Sequence, residues 1–295
     1  MLPRIRSALF VPANNPRFLA KAQACGADAV ILDLEDSVPA AEKESARRTA
    51  GAWVASRTAG TTPHVTVRIN HPDLDAVDAD VAALMSPALL AVVVPKVERA
   101  EQVREVADIV AYHEGRAGLR RGSVRVWPLV ETLAAVQNAA QIAAATPRVA
   151  YMGGGTSERG DLARALHSRR LPGDAETLHI RSRVLLDVRA AGVQNPITGL
   201  VSRVDDLPAV EELAVQSRGL GYAGMMVIHP SHVDTANRVF SPSPEEMEQA
   251  RRIVAALDSA ESGGLGATTV DGDMVDNAMR LWAEQLQAGA VEPSA

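Results

Sequence analysis

Two hydrophobic rhythms alternate along the chain. Short runs of apolar and β-branched residues, several unbroken as in AVILDL and AVVVP, are separated by longer stretches with apolar residues at helical spacing. Unbroken runs of that length suit strands buried on both faces, as in a parallel sheet covered by helices. They predict eight strands: Ser7–Pro12, Ala29–Leu34, Val65–Ile69, Ala91–Pro95, Arg125–Val130, Arg148–Met152, Asn195–Thr198 and Met225–Ile228. Every gap between them is long enough for a crossover helix. Pro39 followed by AAEKESARRTAGAWVAS reads as one helix with proline near its first turn. Leu133 to Ala145 reads as another, ending before Pro147, and a third opens at Val204–Pro208 and runs to about Leu220.

Strict βα alternation favours a (β/α)8 TIM barrel over an open doubly wound sheet, with the seventh run the weakest. Beyond the eighth run come a helix near Pro244–Ser262, a Gly263–Gly266 loop, an amphipathic segment Asp273–Gln287 and a frayed tail from about Ala288. The expected organisation is a barrel catalytic domain over 1–240 and a C-terminal helical extension over 241–295.

Composition then narrows the class of function. Aromatic residues are only 3%, so Val, Leu, Ile and Ala must fill the core. A net charge of −6 argues against nucleic acid as a partner, which needs a concentrated basic surface. The lone cysteine, Cys25, excludes an intramolecular disulfide or a thiolate cage and reads as a small buried residue. No leader pattern and no run approaching a membrane span is visible, so a soluble cytoplasmic protein without a membrane partner is expected.

In a (β/α)8 barrel, catalytic groups come from the C-terminal ends of the strands. Those ends carry Asp33, Glu35 and Asp36; Arg68 and Asn70; Lys96 and Glu98; Glu131 and Thr132; the segment Gly153–Asp161; and His229. Glu131 and Asp161 form an oxygen-only pair suited to Mg²⁺, or else a solvated acid and a helix N-cap. Arg68 can hold a carboxylate by two parallel hydrogen bonds, or else pairs with Asp33, Glu35 or Asp36 on the neighbouring strand. The triple glycine lacks the Gly-Lys-Ser/Thr of a P-loop, and His229 reads as a structural hydrogen-bonding group.

Eight segments carry a family pattern in order: RSALFVPANN at Arg6–Asn15, DAVILDLEDSVP at Asp28–Pro39, VRIN at Val67–Asn70, VVVPKVE at Val92–Glu98, PLVET at Pro128–Thr132, GDLARAL at Gly160–Leu166, IHPS at Ile228–Ser231 and VDGDMVD at Val270–Asp276. With them the chain resembles the HpcH/HpaI aldolase and citrate lyase beta-subunit superfamily. LEDSVP and DGDMVD favour the beta-subunit branch over the pyruvate aldolases. The resemblance implies a Mg²⁺-dependent carbon–carbon lyase that cleaves a short hydroxyacyl-CoA, such as citryl-, malyl- or citramalyl-CoA, into an acyl-CoA and a 2-oxo acid. It implies that Arg68 and Glu131 contact substrate, that Glu131 and Asp161 hold Mg²⁺, and that Asp276 is the acid–base residue. It also implies a homo-oligomer, often a trimer, whose C-terminal extension reaches a neighbouring subunit. The turn before Asp161 is longer than in many relatives, which makes Glu158 a rival second ligand. A class II 2-oxo acid aldolase, a hydroxyacyl-CoA thioesterase and a partner-dependent lyase subunit are the alternative readings.

Overall fold

The computed structural model describes residues 2–72 and 75–288, and the chain divides into two compact units, 1–240 and 241–295. The seven residues after Ala288, read from sequence as a frayed tail, lie outside the described residues.

In the first unit the strands are β1 (Ser7–Pro12), β2 (Ala29–Asp33), β3 (His64–Arg68), β4 (Leu89–Val94), β5 (Arg125–Pro128), β6 (Tyr151–Gly153), β7 (Asn195–Thr198) and β8 (Gly224–Val227). Helices α1 (Pro16–Ala22), α2 (Lys43–Ala55), α3 (Ala76–Leu84) and α4 (Ala100–Arg116) follow the first four strands in turn. Then come α5 (Leu133–Gln137), α6 (Ala139–Ala143), α7 (Asp161–Leu166), α8 (Ala175–Ala190), α9 (Leu207–Leu220) and α10 (Val233–Phe240).

All eight strands are parallel, in the order β5-β4-β3-β2-β1-β8-β7-β6. Two isolated parallel bridges, Val126↔Val149 and Leu129↔Gly153, join the ends of that order and close the barrel. The expected TIM barrel is thus the fold, and the open sheet is excluded by that seam.

Alternation along the strands sorts the core into two layers. Ala8, Ala29, Ile31, Val93, Trp127, Leu129, Ile197 and Met226 pack together inside the barrel. Their sequence neighbours Leu9, Val30, Leu32, Val92, Val126 and Val227 pack outward under the helices. This two-residue step is what places polar groups at the mouth. Carried past the last apolar lumen residue, it reaches Asp33 after Ile31 and Glu131 after Leu129. Arg68 is the registered neighbour of Asp33 across the β2–β3 pair and shares its face.

Beyond shifts of one or two residues at the ends of β2, β3, β4, β5 and β8, three elements differ from the sequence reading. The helix expected over Leu133–Ala145 breaks into α5 and α6 at Asn138, where φ is −101° and ψ is 13°. There the Asn138 amide donates to the Glu98 carbonyl at 2.8 Å, a local alternative to continuing the helix. The sixth strand begins at Tyr151 rather than Arg148. Arg148 instead reaches back to buried Glu114 on α4 with bonds of 3.0 and 2.7 Å. Burial opposes ionisation of Glu114, but Arg148 and the backbone N–H groups of Val124 and Gly122 override it and hold the carboxyl at about 2.

The third difference lies in the second unit. After α11 (Pro244–Ser262) comes β9 (Thr268–Val270), and the segment read as amphipathic from Asp273 opens with its hairpin partner β10 (Asp273–Val275) before it continues as α12 (Asn277–Ala288). Asp271 and Gly272 form the turn with φ of 53° and 93°, and Asp-Gly is the pair that tolerates two left-handed residues in a two-residue hairpin loop. Ile253, Leu257, Val275 and Ala283 form this unit's core.

Candidate active site

At the C-terminal mouth of the barrel lies a cavity of about 360 Å³, walled by residues that include Asp33, Asp36, Arg68, Glu131, Gly155 and Asp161. Arg68 anchors it. Its Nε and Nη2 donate to the two oxygens of Asp33 at 2.6 and 2.7 Å, a bidentate pair across registered positions of β2 and β3. Nη1 stands 3.0 Å from Glu35, and the guanidinium lies 5.0 Å from the centre of the Phe10 ring. Burial works against the charge of Arg68, but Asp33 and Glu35 outweigh it and push its pKa above the ordinary value. The same bonds overcome burial at Asp33 and hold that carboxyl below its usual range. The neighbouring-strand pairing considered for Arg68 is therefore made. It uses two of the five guanidinium N–H donors on Asp33, pairs Nη1 with Glu35 by charge, and holds the guanidinium in a fixed plane.

Glu131 follows β5 at the cavity wall, and its Oε1 accepts the backbone N–H of Lys96 at 2.8 Å. Removal from water pushes the Glu131 carboxyl up to about 7, against the opposing pull of Arg68 and of the Lys96 amide. Asp161 opens α7 behind Gly160, in the first turn of the helix, where a negative charge is favoured. It pairs with Arg164 at 2.9 Å and lies 3.7 Å from Lys96 Nζ. Glu158 is not among the residues that wall this cavity.

The glycine run bears on the backbone of Glu131. Gly155 has φ +76°, and a Cβ there would fall 1.7 Å from the Val130 carbonyl oxygen and 2.8 Å from Glu131 Cα. Gly153, at φ +136°, leaves no more room against the Ile197 carbonyl. The loop can therefore press on the backbone that carries Glu131 only because these side chains are absent.

Lys96, read from sequence only as a polar residue on the rim, turns out to connect the site. Its Nζ lies 2.6 Å from Glu35 and 2.9 Å from Asp36. Burial disfavours its charge, but the bonds to Glu35 and Asp36 more than compensate and raise its pKa. Its φ of 49° is left-handed, a conformation that a strand-end lysine does not advertise in sequence. The available signal was the acid cluster Asp33, Glu35 and Asp36, which needs cations from neighbouring strands. Asp276 belongs to the second unit, where it caps α12: its Oδ1 accepts the backbone N–H of Ala278 at 2.9 Å.

A groove of about 480 Å³ runs along β1 and α1 to the end of β8 and shares Phe10, Pro12 and Ile228 with the cavity. Its walls are mostly apolar, with Lys21 and His229 as polar exceptions. His229 Nδ1 lies 2.8 Å from Ser231 Oγ.

The profile of the HpcH/HpaI aldolase/citrate lyase family matches residues 6–230. The chain belongs to that family. The matched span contains Arg68, Lys96, Glu131 and Asp161 and ends before the second unit. Similarity to individual family members runs further. A (3S)-malyl-CoA thioesterase of Cereibacter sphaeroides is 36% identical over 97% of this chain and 94% of its own. The citrate lyase subunit beta of Leuconostoc mesenteroides subsp. cremoris is 30% identical over 95% of this chain and 91% of its own. Among solved structures, the Mycobacterium tuberculosis protein CitE, in complex with magnesium, acetoacetate and coenzyme A, superposes with a TM-score of 0.76. It is 31% identical and covers 98% of this chain and 99% of its own.

Proposed function

We propose that the chain is a Mg²⁺-dependent carbon–carbon lyase that cleaves a short hydroxyacyl-CoA into an acyl-CoA and a 2-oxo acid. One observation carries this reading: Glu131 and Asp161 converge on a cavity in which Arg68 is held in plane by Asp33. The donor set fits the metal. Asp33, Glu35, Asp36, Glu131 and Asp161 face Arg68, Lys96 and Arg164, an excess of two negative charges when all are ionised. Glu131, alone of these acids, has no ion pair among the described residues, and its ligands are oxygens, which Mg²⁺ prefers. Magnesium complexes of the M. tuberculosis relative support the same choice.

Held by Glu131 and Asp161, Mg²⁺ would supply Lewis acidity toward the oxygen that becomes the keto group. Arg68 binds the adjacent substrate carboxylate with its remaining donors, and Asp33 fixes their direction. Cleavage breaks the bond between the carbinol carbon and the α-carbon of the acyl-CoA. The carbinol hydroxyl gives up its proton to water as its oxygen becomes the keto group, and the electron pair of the broken bond passes to the thioester enolate. The acid–base role falls to Asp276, which in its protonated form protonates that α-carbon and as a carboxylate removes the proton in the reverse direction. The apolar groove beside β1 suits the uncharged arm of the CoA, with Lys21 toward its phosphates. The functional unit in this reading is a homo-oligomer, a trimer, in which the C-terminal extension of one subunit serves another's site.

Thioester hydrolysis in the same cavity is the second reading, favoured by the 36% identical malyl-CoA thioesterase. Citryl-, malyl- and citramalyl-CoA, each assayed with and without Mg²⁺, separate the two. A lyase yields a 2-oxo acid and keeps the thioester, whereas a thioesterase releases free thiol and no oxo acid. Absence of both products from every substrate in Mg²⁺ would overturn the enzyme reading.

A further inference from the structure

The connections of Lys96 exceed what a rim ion pair needs. Its amide binds Glu131, one expected metal ligand, and its ammonium stands 3.7 Å from Asp161, the other. The same ammonium bonds to Glu35 and Asp36, acids that also lie near Arg68. The left-handed backbone at φ 49° is what allows amide and ammonium to serve neighbouring acids at once. Strain of this kind in a residue other than glycine persists only where the surroundings hold it in place.

We propose that Lys96 is a resident counter-cation of the metal site: its amide positions Glu131, while its ammonium offsets the acid cluster and keeps cation affinity moderate. This deepens the Mg²⁺ reading above and rests on it. A positive charge beside Asp161 repels an arriving divalent ion, so loss of the ammonium tightens metal binding. A purely structural lysine would behave the opposite way, because its removal would loosen the acids and weaken binding.

The two functions can be separated. Lys96→Gly removes the ammonium yet keeps the amide, and glycine adopts positive φ without penalty. Lys96→Gln keeps most of the side-chain length without charge, and Lys96→Arg keeps the charge. Titration calorimetry of Mg²⁺ into each metal-stripped protein, at one pH and ionic strength, reads affinity without relying on turnover. We expect one Mg²⁺ per wild-type chain. Lys96→Gly and Lys96→Gln should bind about tenfold tighter or more, and Lys96→Arg should stay within about threefold of wild type. Unchanged or weaker binding in the Gly and Gln variants overturns the inference, as does equal tightening in Lys96→Arg. If the wild type takes up no Mg²⁺, the metal reading itself fails, an outcome distinct from a wild type that binds and variants that bind alike.

Discussion

Glu131 is a carboxylate taken out of water without a cation at contact distance, and this has a measurable sign. Its pKa rises from 4.5 to about 7, so between those values the folded chain holds a proton that the unfolded chain has released. The stability this contributes is fully present below the unfolded value of 4.5 and is lost as pH rises through about 7. In metal-free protein, Tm should therefore fall between about pH 5 and about pH 8, and Glu131→Gln should remove most of that fall. A slope unchanged in the variant would assign the titration to another group. At Arg68 the geometry decides more than the charge. Lysine cannot reproduce two parallel bonds to Asp33 while also presenting further donors to a substrate. Arg68→Lys should lower kcat/KM by about a hundredfold or more, as expected when transition-state contacts worth roughly 3 kcal/mol are lost. A variant within a few-fold of wild type would reduce Arg68 to a structural ion pair.

The loop from β6 to α7 shows how an element rather than a residue sets the site. Gly155 lies against the Val130 carbonyl with no space for a methyl group, so Gly155→Ala must move either the loop or the strand end that carries Glu131. We expect a loss of about 3 kcal/mol, combining overpacking with a left-handed alanine, and weaker metal uptake in calorimetry. Wild-type Tm and affinity would show that the loop is not braced there. The strands themselves were legible because their apolar runs are long and buried on both faces: β1 and β7 coincide with their predicted ranges. Period-two alternation likewise brought Asp33, Arg68 and Glu131 to one rim. What sequence concealed was decided by pairwise geometry. Asn138 ends α5 because its side chain finds the Glu98 carbonyl, and Lys96 adopts a backbone conformation that its residue type disfavours. The Asp271-Gly272 turn was present in the sequence but lies just before the segment that reads as amphipathic, where no strand pair was expected.

At the scale of the whole molecule, the second unit leaves Met274 70%, Leu281 52% and Trp282 43% exposed, a face suited to packing on another chain. The proposed use of Asp276 by a neighbour is open to subunit mixing. Asp276→Ala and Arg68→Ala variants, each inactive alone, should regain part of the activity once subunits exchange, because some sites then combine both intact residues. No recovery after demonstrated exchange would confine Asp276 to its own subunit or remove it from the reaction. The closure of the barrel has a further consequence. Among the described residues, only the Val126↔Val149 and Leu129↔Gly153 bridges join β5 to β6, whereas every other neighbouring pair of barrel strands shares a registered ladder. Glu131 and Asp161 follow the two strands on either side of this seam. A cation gripping both acids, as proposed above, would thus be a rivet across a join that lacks a continuous ladder, and ligand affinity would become resistance to local opening. Hydrogen exchange at the amides of Val126 and Val130, which donate across the seam to Arg148 and Gly153, should slow on addition of Mg²⁺, while the amides of the β2–β3 ladder change little.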